Sequence, residues 1–471
     1  MSAELDRLAA GTLLAGFEGI SAPASLHRWL DLGLGGVCLF ARNVESREQL
    51  AALAAELEER RPRLVISIDE EGGDVTRLEA REGSSYPGNW ALGVVDDPGL
   101  TEHVARAIGA ELRGVGVNLD LAPVADVNVD PANPIVGVRS FGTDPELVAR
   151  HVAAFVTGLQ SSGVAACAKH FPGHGDTIED SHLELPTVER DDAAMAAALL
   201  PFRAAIEAGV RAVMSAHIRI TGLDEAPATL SRKILTGLLR GELAFDGVVV
   251  SDALEMRAVS GTVGAEEGAV LSLAAGADAL CLGHDLEPDA VHAAIVAAVS
   301  SGRLPEERLH EAVARIESLG SEQTGAPSDL DSGLGLEAAR RALRVEGEVG
   351  LERPPVVVEL VPEASIAAGD ASHGLAESLE NAEALRLAAE PLDVRAVAAD
   401  HFDRQLVIVV RDAHRHDWER QTVEAFLEAA SDAVVVEVGV PAWRPETSRY
   451  VATHGHGRVN LLAAAELLQP R

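Results

Sequence analysis

Aromatic residues are scarce in this chain of 471 residues and make up only 3% of it. Hydrophobic residues still amount to 47%, so a large core is possible, but it has to be built mainly from alanine, valine and leucine. Cysteine is scarce too. Cys38, Cys167 and Cys281 lie far apart in apolar runs, which fits neither a disulfide framework nor a zinc motif. We therefore expect buried free thiols and a reducing compartment.

Positive charge is also in short supply. Lysine and arginine together number 39 against 74 aspartates and glutamates, which gives a formal net charge of -35. Such a field repels phosphate backbones and anionic lipid, so we expect neither nucleic acid nor a membrane as partner. The sequence contains no apolar run of membrane-spanning length and no signal-peptide pattern at its start. A cytoplasmic location is expected, and both a monomer and a homodimer remain open.

Short apolar runs alternate with helical patterns through the first 320 residues. Nearly continuous apolar strands that are each followed by a helix are typical of a parallel sheet covered on both faces. Eight such units predict an α/β fold of the (β/α)8 TIM-barrel type. A doubly wound sheet is the alternative, but no GxGxxG motif follows the first strand. The predicted strands are Leu13–Phe17, Gly36–Phe40, Leu64–Ile68, Val117–Leu121, Ala165–Phe171, Ala212–Ile218, Val248–Ser251 and Ala279–Leu282.

The composition changes near Ser318, where a stretch rich in Gly, Ser, Pro and Asp without periodicity indicates a linker. We predict a catalytic barrel over 1–320, a linker with a short helix over 321–350, and a smaller C-terminal α/β domain of unknown role over 351–471. The predicted helix is Leu336–Leu343, and the predicted C-terminal strands are Val356–Val361, Gln405–Val410 and Ala433–Val438.

Polar side chains stand where the apolar runs of the predicted barrel end. A strand buried on both faces does not carry a charged group without a partner. In a barrel, the carboxyl ends of the strands form the rim that holds catalytic residues. The residues at these positions are Asp69, Glu70, Glu71, Lys169, His170, His217 and Asp252.

A loop from Lys169 to His182 carries three histidines. A zinc site formed by His170, His174 and His182 is one interpretation, but HExxH is absent and the pattern does not lie on a helix, so we expect no metal. The other interpretation pairs Asp180 with His182. In a non-helical loop the carboxylate can orient the imidazole and raise its basicity, which makes a general acid/base.

Asp252 follows the strand Val248–Ser251 and can act as a nucleophile toward a sugar. The alternative is an N-cap for a helix that starts near Ala253, and spacing alone favours that alternative. The segment from Asp69 to Leu78, with its two glycines, and the arginine at Arg139 suggest ligand contact, although either can equally be an ordinary βα loop.

Six motifs follow one another at barrel spacing over about residues 10 to 320: DEEGGDVTRL, APVADVNVDPANPIVGVRSFG, KHFPGHGDTIEDSH, SAHI, PATLS and VVSDALEM. Together they resemble the β-N-acetylglucosaminidase branch of glycoside hydrolase family 3. The resemblance implies a retaining enzyme without cofactor that acts on a small carbohydrate with a terminal β-linked N-acetylglucosamine, as in peptidoglycan fragments. It also implies Asp252 as nucleophile, His182 as acid/base, Asp180 as its partner, and Asp69, Arg77, Arg139, Lys169 and His170 as sugar-binding residues.

The sequence departs from the family pattern at two positions. Glu70 and Asp74 stand where the family usually has Gln and Arg, which puts the electrostatics of the sugar site in doubt. Two other functions remain open: a phosphorylase, because a histidine acid/base does not repel phosphate as a glutamate does, and a non-catalytic sugar-binding protein. The C-terminal histidines, His414, His416, His454 and His456, are expected to lie in surface loops.

Overall fold

The computed structural model describes residues 3–181, 183–283, 286–321, 333–362, 373–389 and 393–469. The chain divides into two compact units. The first, which we call the barrel unit, comprises Met1–Glu70, Pro98–Val129 and Thr143–Leu330. The second unit comprises Glu71–Asp97, Asp130–Gly142 and Asp331–Arg471, so it includes two segments that lie early in the sequence. The domain boundaries predicted at 320 and 350 stay a prediction.

Eight of the ten strands described in the barrel unit form one parallel sheet in the order β10-β1-β2-β3-β4-β5-β7-β9. A parallel bridge between Val250 and Ala279 links the two ends of this order and closes the sheet into a barrel. The remaining two strands, β6 and β8, pair with each other. The bounds are β1 Leu13–Ala15, β2 Gly36–Leu39, β3 Val65–Ile68, β4 Leu119–Asp120, β5 Ala165–Phe171, β6 Thr187–Glu189, β7 Ala212–Ser215, β8 Arg219–Thr221, β9 Val248–Ser251 and β10 Leu280–Leu282.

The core of the barrel unit is built from small and aliphatic side chains, as the scarcity of aromatic residues requires. One buried cluster combines side chains from all eight strands of the sheet, including all three cysteines. Cys38, Cys167 and Cys281 are buried free thiols, as expected. Burial raises the pKa of the Cys167 thiol, which makes it a poor nucleophile.

Helices follow most strands of the barrel and cover its outer face. They belong to the pattern in which a buried parallel strand is succeeded by a helix that packs back on the sheet. In the barrel unit they are α1 Ala3–Gly11, α2 Ala24–Leu32, α3 Arg47–Arg60, α5 Pro98–Gly114, α6 Pro145–Ser161, α7 Asp192–Glu207, a π-helix Lys233–Glu242, α8 Arg257–Ser260, α9 Ala265–Ala275, α10 Pro288–Ser300 and α11 Glu306–Ser321, while α4 Asn89–Val95 belongs to the second unit.

The second unit has a six-stranded sheet in the order β11-β16-β15-β14-β12-β13, parallel except for β11 at its edge. Alternate strand residues face opposite sides. Val357, Val407 and Val436 lie in one buried cluster, while Val358, Ile408 and Val435 lie in the other. The elements are α12 Leu334–Ala342, β11 Arg344–Glu346, β12 Pro355–Leu360, β13 Glu383–Leu387, α13 Val394–Asp400, β14 Gln405–Val410, α14 Asp417–Ala429, β15 Val434–Glu437, β16 Tyr450–Ala452 and α15 Arg458–Leu468.

The predicted fold class is confirmed: a (β/α)8 barrel and a smaller α/β sheet. Each of the eight predicted barrel strands coincides with a strand of the closed sheet, although several are shorter, since runs such as Ala212–Ile218 continue past the strand into the following loop. The predicted helix Leu336–Leu343 is found as Leu334–Ala342. None of the described helices has both the length and the apolar character needed to cross a membrane.

Candidate active site

Asp69 and Lys169 meet at the carboxyl ends of β3 and β5. Nζ of Lys169 lies 2.7 Å from Oδ1 of Asp69, and the lysine side chain is only 2% exposed. A lysine this deeply buried keeps its charge only beside an anion, so the pair stabilises the ionised form of both groups. The sequence placed both residues at strand ends, and the structure brings them into direct contact.

His170 is oriented by Asp126, a residue that the sequence reasoning did not single out. Nδ1 of His170 donates to Oδ2 of Asp126 at 2.7 Å, and Asp126 is completely buried. The other oxygen accepts the backbone N–H groups of His170 and His174, at 3.1 and 2.7 Å. Because Nδ1 is committed to the carboxylate, Nε2 is the ring nitrogen of His170 that remains for a ligand.

A second buried acid, Asp120, lies at the end of β4. Burial raises the pKa of Asp120 well above its ordinary value, and neighbouring Glu70 raises it further, while the backbone N–H of Glu70 and the charge of Lys169 lower it. The backbone N–H of Glu70 donates to Oδ1 of Asp120 at 3.0 Å. Burial therefore favours the neutral form of Asp120, which lies next to the Asp69–Lys169 pair.

The loop after β5 is held by Arg190. This side chain is 2% exposed and makes two bonds to Asp176, of 2.5 and 2.7 Å. It also donates to the carbonyls of Pro172 and Gly173, at 3.1 and 2.8 Å. One guanidinium therefore joins three positions of the loop that leads to Asp180.

His174 fixes the end of the same loop. The hydroxyl of Thr177 donates to the His174 carbonyl, so Nδ1 of His174 is the donor to Oγ1 of Thr177 at 2.8 Å. Nε2 then accepts from the hydroxyl of Ser181 at 3.2 Å. Burial lowers the pKa of His174 to about 4, so the ring is neutral at neutral pH and keeps this arrangement.

Ser181 lies between the two predicted members of the acid/base pair. Residues 178–181 are not helical, which meets the condition under which Asp180 can reach a histidine two positions further along. The Asp180 carbonyl accepts the N–H groups of Leu183 and Glu184, at 2.9 and 3.0 Å, so the chain turns here. His182 lies outside the described residues, and its pairing with Asp180 stays a prediction.

Asp252 follows β9 directly and is half-buried. Its backbone N–H donates to the carbonyl of Ser215 at the end of β7, at 3.3 Å, and its own Oδ1 accepts the N–H of Ala253 at 2.8 Å. The next helix, α8, begins only at Arg257, so the N-cap interpretation is wrong. A packing role as a helix cap does not account for this carboxylate.

The loop after β5 is in contact with α8, the helix that follows β9 and Asp252. The N–H of Ala258 donates to the carbonyl of Ser181 at 3.3 Å. The negative charge of Asp252 also raises the pKa of both His174 and Cys167. For His174 it opposes the effect of burial, which lowers the pKa, and for Cys167 it adds to the effect of burial. The Asp180 loop and Asp252 therefore face the same end of the barrel.

The two predicted sugar-binding arginines lie in the second unit. Arg139 is 9% exposed, and its guanidinium makes two bonds to Glu71, of 3.0 and 2.7 Å. Bidentate pairing fixes the plane of this guanidinium. Arg77 is half-buried in the 71–79 segment, the stretch of chain that also carries Glu71.

Asp74, one of the two departures from the family pattern, has its own cation. Oδ2 of Asp74 lies 2.5 Å from Nη2 of Arg411, and Oδ1 accepts the backbone N–H of His456 at 2.7 Å. The Asp74 side chain is only 3% exposed. The negative charge introduced at position 74 is therefore neutralised within the second unit.

The expectation that the C-terminal histidines lie in surface loops is wrong for His454, which is 3% exposed. Burial lowers the pKa of His454 to about 4 and that of His456 to about 3, so both rings are neutral. His414 and His416 are half-buried, and Nε2 of His414 bonds to the Pro131 carbonyl at 2.5 Å.

In the described ranges, no three His, Cys, Asp or Glu side chains are arranged to hold a metal ion. Of the three histidines considered for zinc, His170 and His174 have ring nitrogens bonded to Asp126, Thr177 and Ser181. The third, His182, lies outside the described residues.

Three residues that shape the site were missed by sequence reasoning: Asp120, Asp126 and Arg190. Asp120 and Asp126 carried a usable signal, because each is an acid within or just after a strongly apolar run. Arg190 carried none, since it is one of many arginines in a polar stretch between two elements.

Residues 24–319 match the family described as the glycosyl hydrolase family 3 N terminal domain. The "Beta-hexosaminidase A" of Pseudoalteromonas piscicida is 35% identical over 357 residues, which cover 68% of this chain and 58% of that protein. The "Beta-hexosaminidase" of Stenotrophomonas maltophilia is 39% identical over 292 residues, or 60% and 86% of the two chains. This chain thus spans less than two thirds of the Pseudoalteromonas relative.

Among solved structures, a glycoside hydrolase family 3 β-N-acetylglucosaminidase from Paenibacillus sp. str. FPU-7 is similar over almost the entire chain. The two are 34% identical, with a TM-score of 0.89, and the alignment covers 99% of this chain and 98% of the other. The similarity therefore includes the second unit as well as the barrel.

Proposed function

The chain belongs to glycoside hydrolase family 3, and we propose that it is a retaining exo-β-N-acetylglucosaminidase with Asp252 as nucleophile. The observation that carries the proposal is the convergence of Asp69, Lys169 and Asp252 at the carboxyl ends of three strands of one barrel. Relatives named β-hexosaminidase support the substrate class.

The proposed reaction has two displacements. In the first, a carboxylate oxygen of Asp252 forms a bond to the anomeric carbon while the bond from that carbon to the leaving oxygen breaks. His182 gives its proton to the leaving oxygen. In the second, His182 takes a proton from water, the water oxygen bonds to the anomeric carbon, and Asp252 leaves, so that the β configuration is retained.

Asp180 is the proposed partner of His182. A carboxylate next to the imidazole stabilises the protonated ring and selects its tautomer, so the histidine can act first as acid and then as base. The non-helical loop, and the fixed position of Ser181 beside His174, support this role.

Asp69, Lys169 and His170 are proposed to bind the hydroxyl groups of the sugar. The Lys169–Asp69 pair presents a donor and an acceptor side by side, and His170 contributes Nε2. The resemblance gives Arg77 and Arg139 the same role. Since Lys169, His170 and Arg139 are each paired with a carboxylate before any ligand arrives, little conformational entropy of these side chains is lost on binding.

The substrate class is tested with aryl β-glycosides that differ only at C2. We expect release of 4-nitrophenol from the N-acetylglucosaminide, with much slower release from the glucoside. Equal rates on both would show that the N-acetyl group is tolerated rather than required. Sugar binding without release of 4-nitrophenol would favour a non-catalytic sugar-binding protein instead.

The same assay, run with and without inorganic phosphate, decides between hydrolysis and phosphorolysis. Hydrolysis predicts free N-acetylglucosamine as product under both conditions. Sugar 1-phosphate formed in the presence of phosphate would establish the phosphorylase. The formal net charge of -35 disfavours approach of the phosphate anion at long range.

The nucleophile is tested by trapping the glycosyl-enzyme with a fluorinated N-acetylglucosaminide that reacts quickly and is released slowly. Peptide mass spectrometry is expected to find the sugar on Asp252, and Asp252→Ala is expected to lose both labelling and turnover. A label on any other residue would overturn this assignment.

The natural substrate proposed is a peptidoglycan fragment with N-acetylglucosamine linked to anhydro-N-acetylmuramic acid. Release of N-acetylglucosamine from the purified disaccharide tests it directly. A cytoplasmic location is proposed with it, since three buried free thiols fit a reducing compartment. Cell fractionation followed by the aryl glycoside assay checks that location.

A further inference from the structure

The 71–79 segment affects the position of both proposed sugar-binding arginines. Arg77 is part of it, and Glu71 at its start fixes the guanidinium of Arg139 through two bonds. The segment has little regular structure of its own beyond a bridge between Gly72 and Val75. Its conformation therefore depends on what the rest of the second unit bonds to it.

Asp74, between Glu71 and Arg77, is the main point of attachment. It is bonded at one oxygen to Arg411 and at the other to the N–H of His456. A carboxylate that is 3% exposed is costly without such partners, so the segment has one strongly preferred position. At the far end, Arg458 bonds to Glu79 and to Ser85, at 3.4 and 2.5 Å.

Arg411 is anchored to the six-stranded sheet of the second unit. It follows β14, a central strand of the six-stranded sheet. Burial alone would lower the pKa of Arg411, but the charges of Asp74, Asp412 and Glu437 raise it above its ordinary value. The guanidinium is thus a permanent cation on a fixed element, suited to holding one carboxylate in place.

The position of this pair within the sheet is informative. In the sheet, β13 lies on one side of β12, while β14, β15 and β16 follow one another on the other side. The topological switch point therefore lies between the parallel strands β12 and β14. Open parallel sheets bind ligands at the carboxyl ends of strands at such a point. Here Arg411, directly after β14, binds Asp74 of the chain's own 71–79 segment.

We propose that Arg411 is a positioning residue for sugar binding, which acts through Asp74 to set Arg77 and, through Glu71, Arg139. The inference rests on the proposed function, because it takes from it that these arginines contact the sugar. It assigns a task to the second unit, for which the sequence suggested none.

The test is a double-mutant cycle with Arg411→Met, Asp74→Asn and the combined variant. Met keeps the apolar stem of arginine without its charge, and Asn keeps the acceptor for the N–H of His456. Each single variant is expected to raise KM for 4-nitrophenyl N-acetyl-β-D-glucosaminide about tenfold, with kcat within about twofold. The KM of the combined variant should be no higher than that of either single variant, since both substitutions remove the same Arg411–Asp74 interaction.

Arg340→Met is the matched control, because Arg340 pairs with Glu466 on the exposed surface of the same unit and touches no part of the 71–79 segment. It should leave KM unchanged. A merely structural role for Arg411 would lower the folded fraction, and hence apparent kcat, in all pair variants while KM stayed at its wild-type value. That result would overturn the inference.

Binding of N-acetylglucosamine by calorimetry separates this inference from the proposed function. Wild-type protein that binds the sugar without hydrolysing the aryl glycoside would refute the function, while an approximately tenfold weaker Kd in the variants would still support the positioning role. If the wild type is active and the variants keep its Kd and KM, the positioning role alone is refuted. Wild type that neither binds nor hydrolyses would refute both.

Discussion

Replacing Arg190 with methionine is expected to weaken acid catalysis selectively. Arg190 makes four bonds, two to Asp176 and two to the carbonyls of Pro172 and Gly173, and it is 2% exposed. The variant keeps most of the side-chain volume and removes every one of these bonds. The loop that carries Asp180 and continues to His182 then loses its preferred position.

The size of the effect follows from the burial of the pair. Breaking a buried ion pair by removing one partner costs about 3 to 5 kcal/mol. Asp176 is 24% exposed, so water recovers part of this cost, and we take the lower end, about 3 kcal/mol. Since about 1.4 kcal/mol corresponds to a factor of ten, the productive loop arrangement becomes about 100-fold rarer.

The assay compares aryl N-acetyl-β-glucosaminides whose leaving groups differ in acidity. A 4-nitrophenolate departs with little help from an acid, so kcat/KM should fall only a few-fold. A phenol needs the proton, so its kcat/KM should fall about 100-fold. Arg219→Met is the control, because Arg219 bonds to Thr187 nearby without touching this loop.

An equal fall for all leaving groups would refute the reasoning, because it would mean fewer folded molecules rather than a displaced acid. An unchanged rate on both substrates would show that the loop keeps its place without Arg190. Thermal melting of each variant distinguishes loss of fold from loss of loop position.

Three further predictions concern pH, thiols and metal. Burial raises the pKa of Glu419 to about 8 from its ordinary 4.5. Between these two pH values the folded state holds a proton that the unfolded chain has released, so the free energy of unfolding falls as pH rises from 4.5 to 8. In urea unfolding, Glu419→Gln should reduce this dependence of the unfolding free energy on pH. A dependence equal to that of the wild type would contradict the assignment. Cys38, Cys167 and Cys281 should react with a thiol reagent only after unfolding, and fast reaction of the native protein would refute their burial. Full hydrolytic activity is expected in excess chelator, and loss that zinc restores would revive the metal interpretation of the histidine loop.

The barrel was predictable from the sequence because its signal is local. A buried parallel strand is a short apolar run, and a helix after it has its own period, so eight repeats indicate the architecture without knowledge of any contact. The same local logic located Asp69, Lys169 and Asp252, since a charged residue that ends an apolar run stands out. At β9 the local logic was wrong about the role of Asp252: spacing alone favoured a helix cap, whereas the next helix begins only at Arg257. The nucleophile role came from the family resemblance.

The partners of these residues were not predictable, because they lie far away along the chain. Asp126 and His170 are 44 residues apart, and Arg411 and Asp74 are 337 apart. A composition change marks a linker, but it cannot show that 71–97 and 130–142 belong to the second unit. Such membership is decided by three-dimensional packing, which a single sequence does not record.

The buried position of Lys169 has a practical consequence. The chain has only one other lysine, Lys233, which is exposed at the start of the π-helix. An amine-directed reagent therefore finds one accessible lysine side chain on the native protein. Once the α-amino group of the chain is blocked, coupling through Lys233 would attach each molecule to a bead or a dye at the same point, without modifying the lysine that is proposed to bind the sugar.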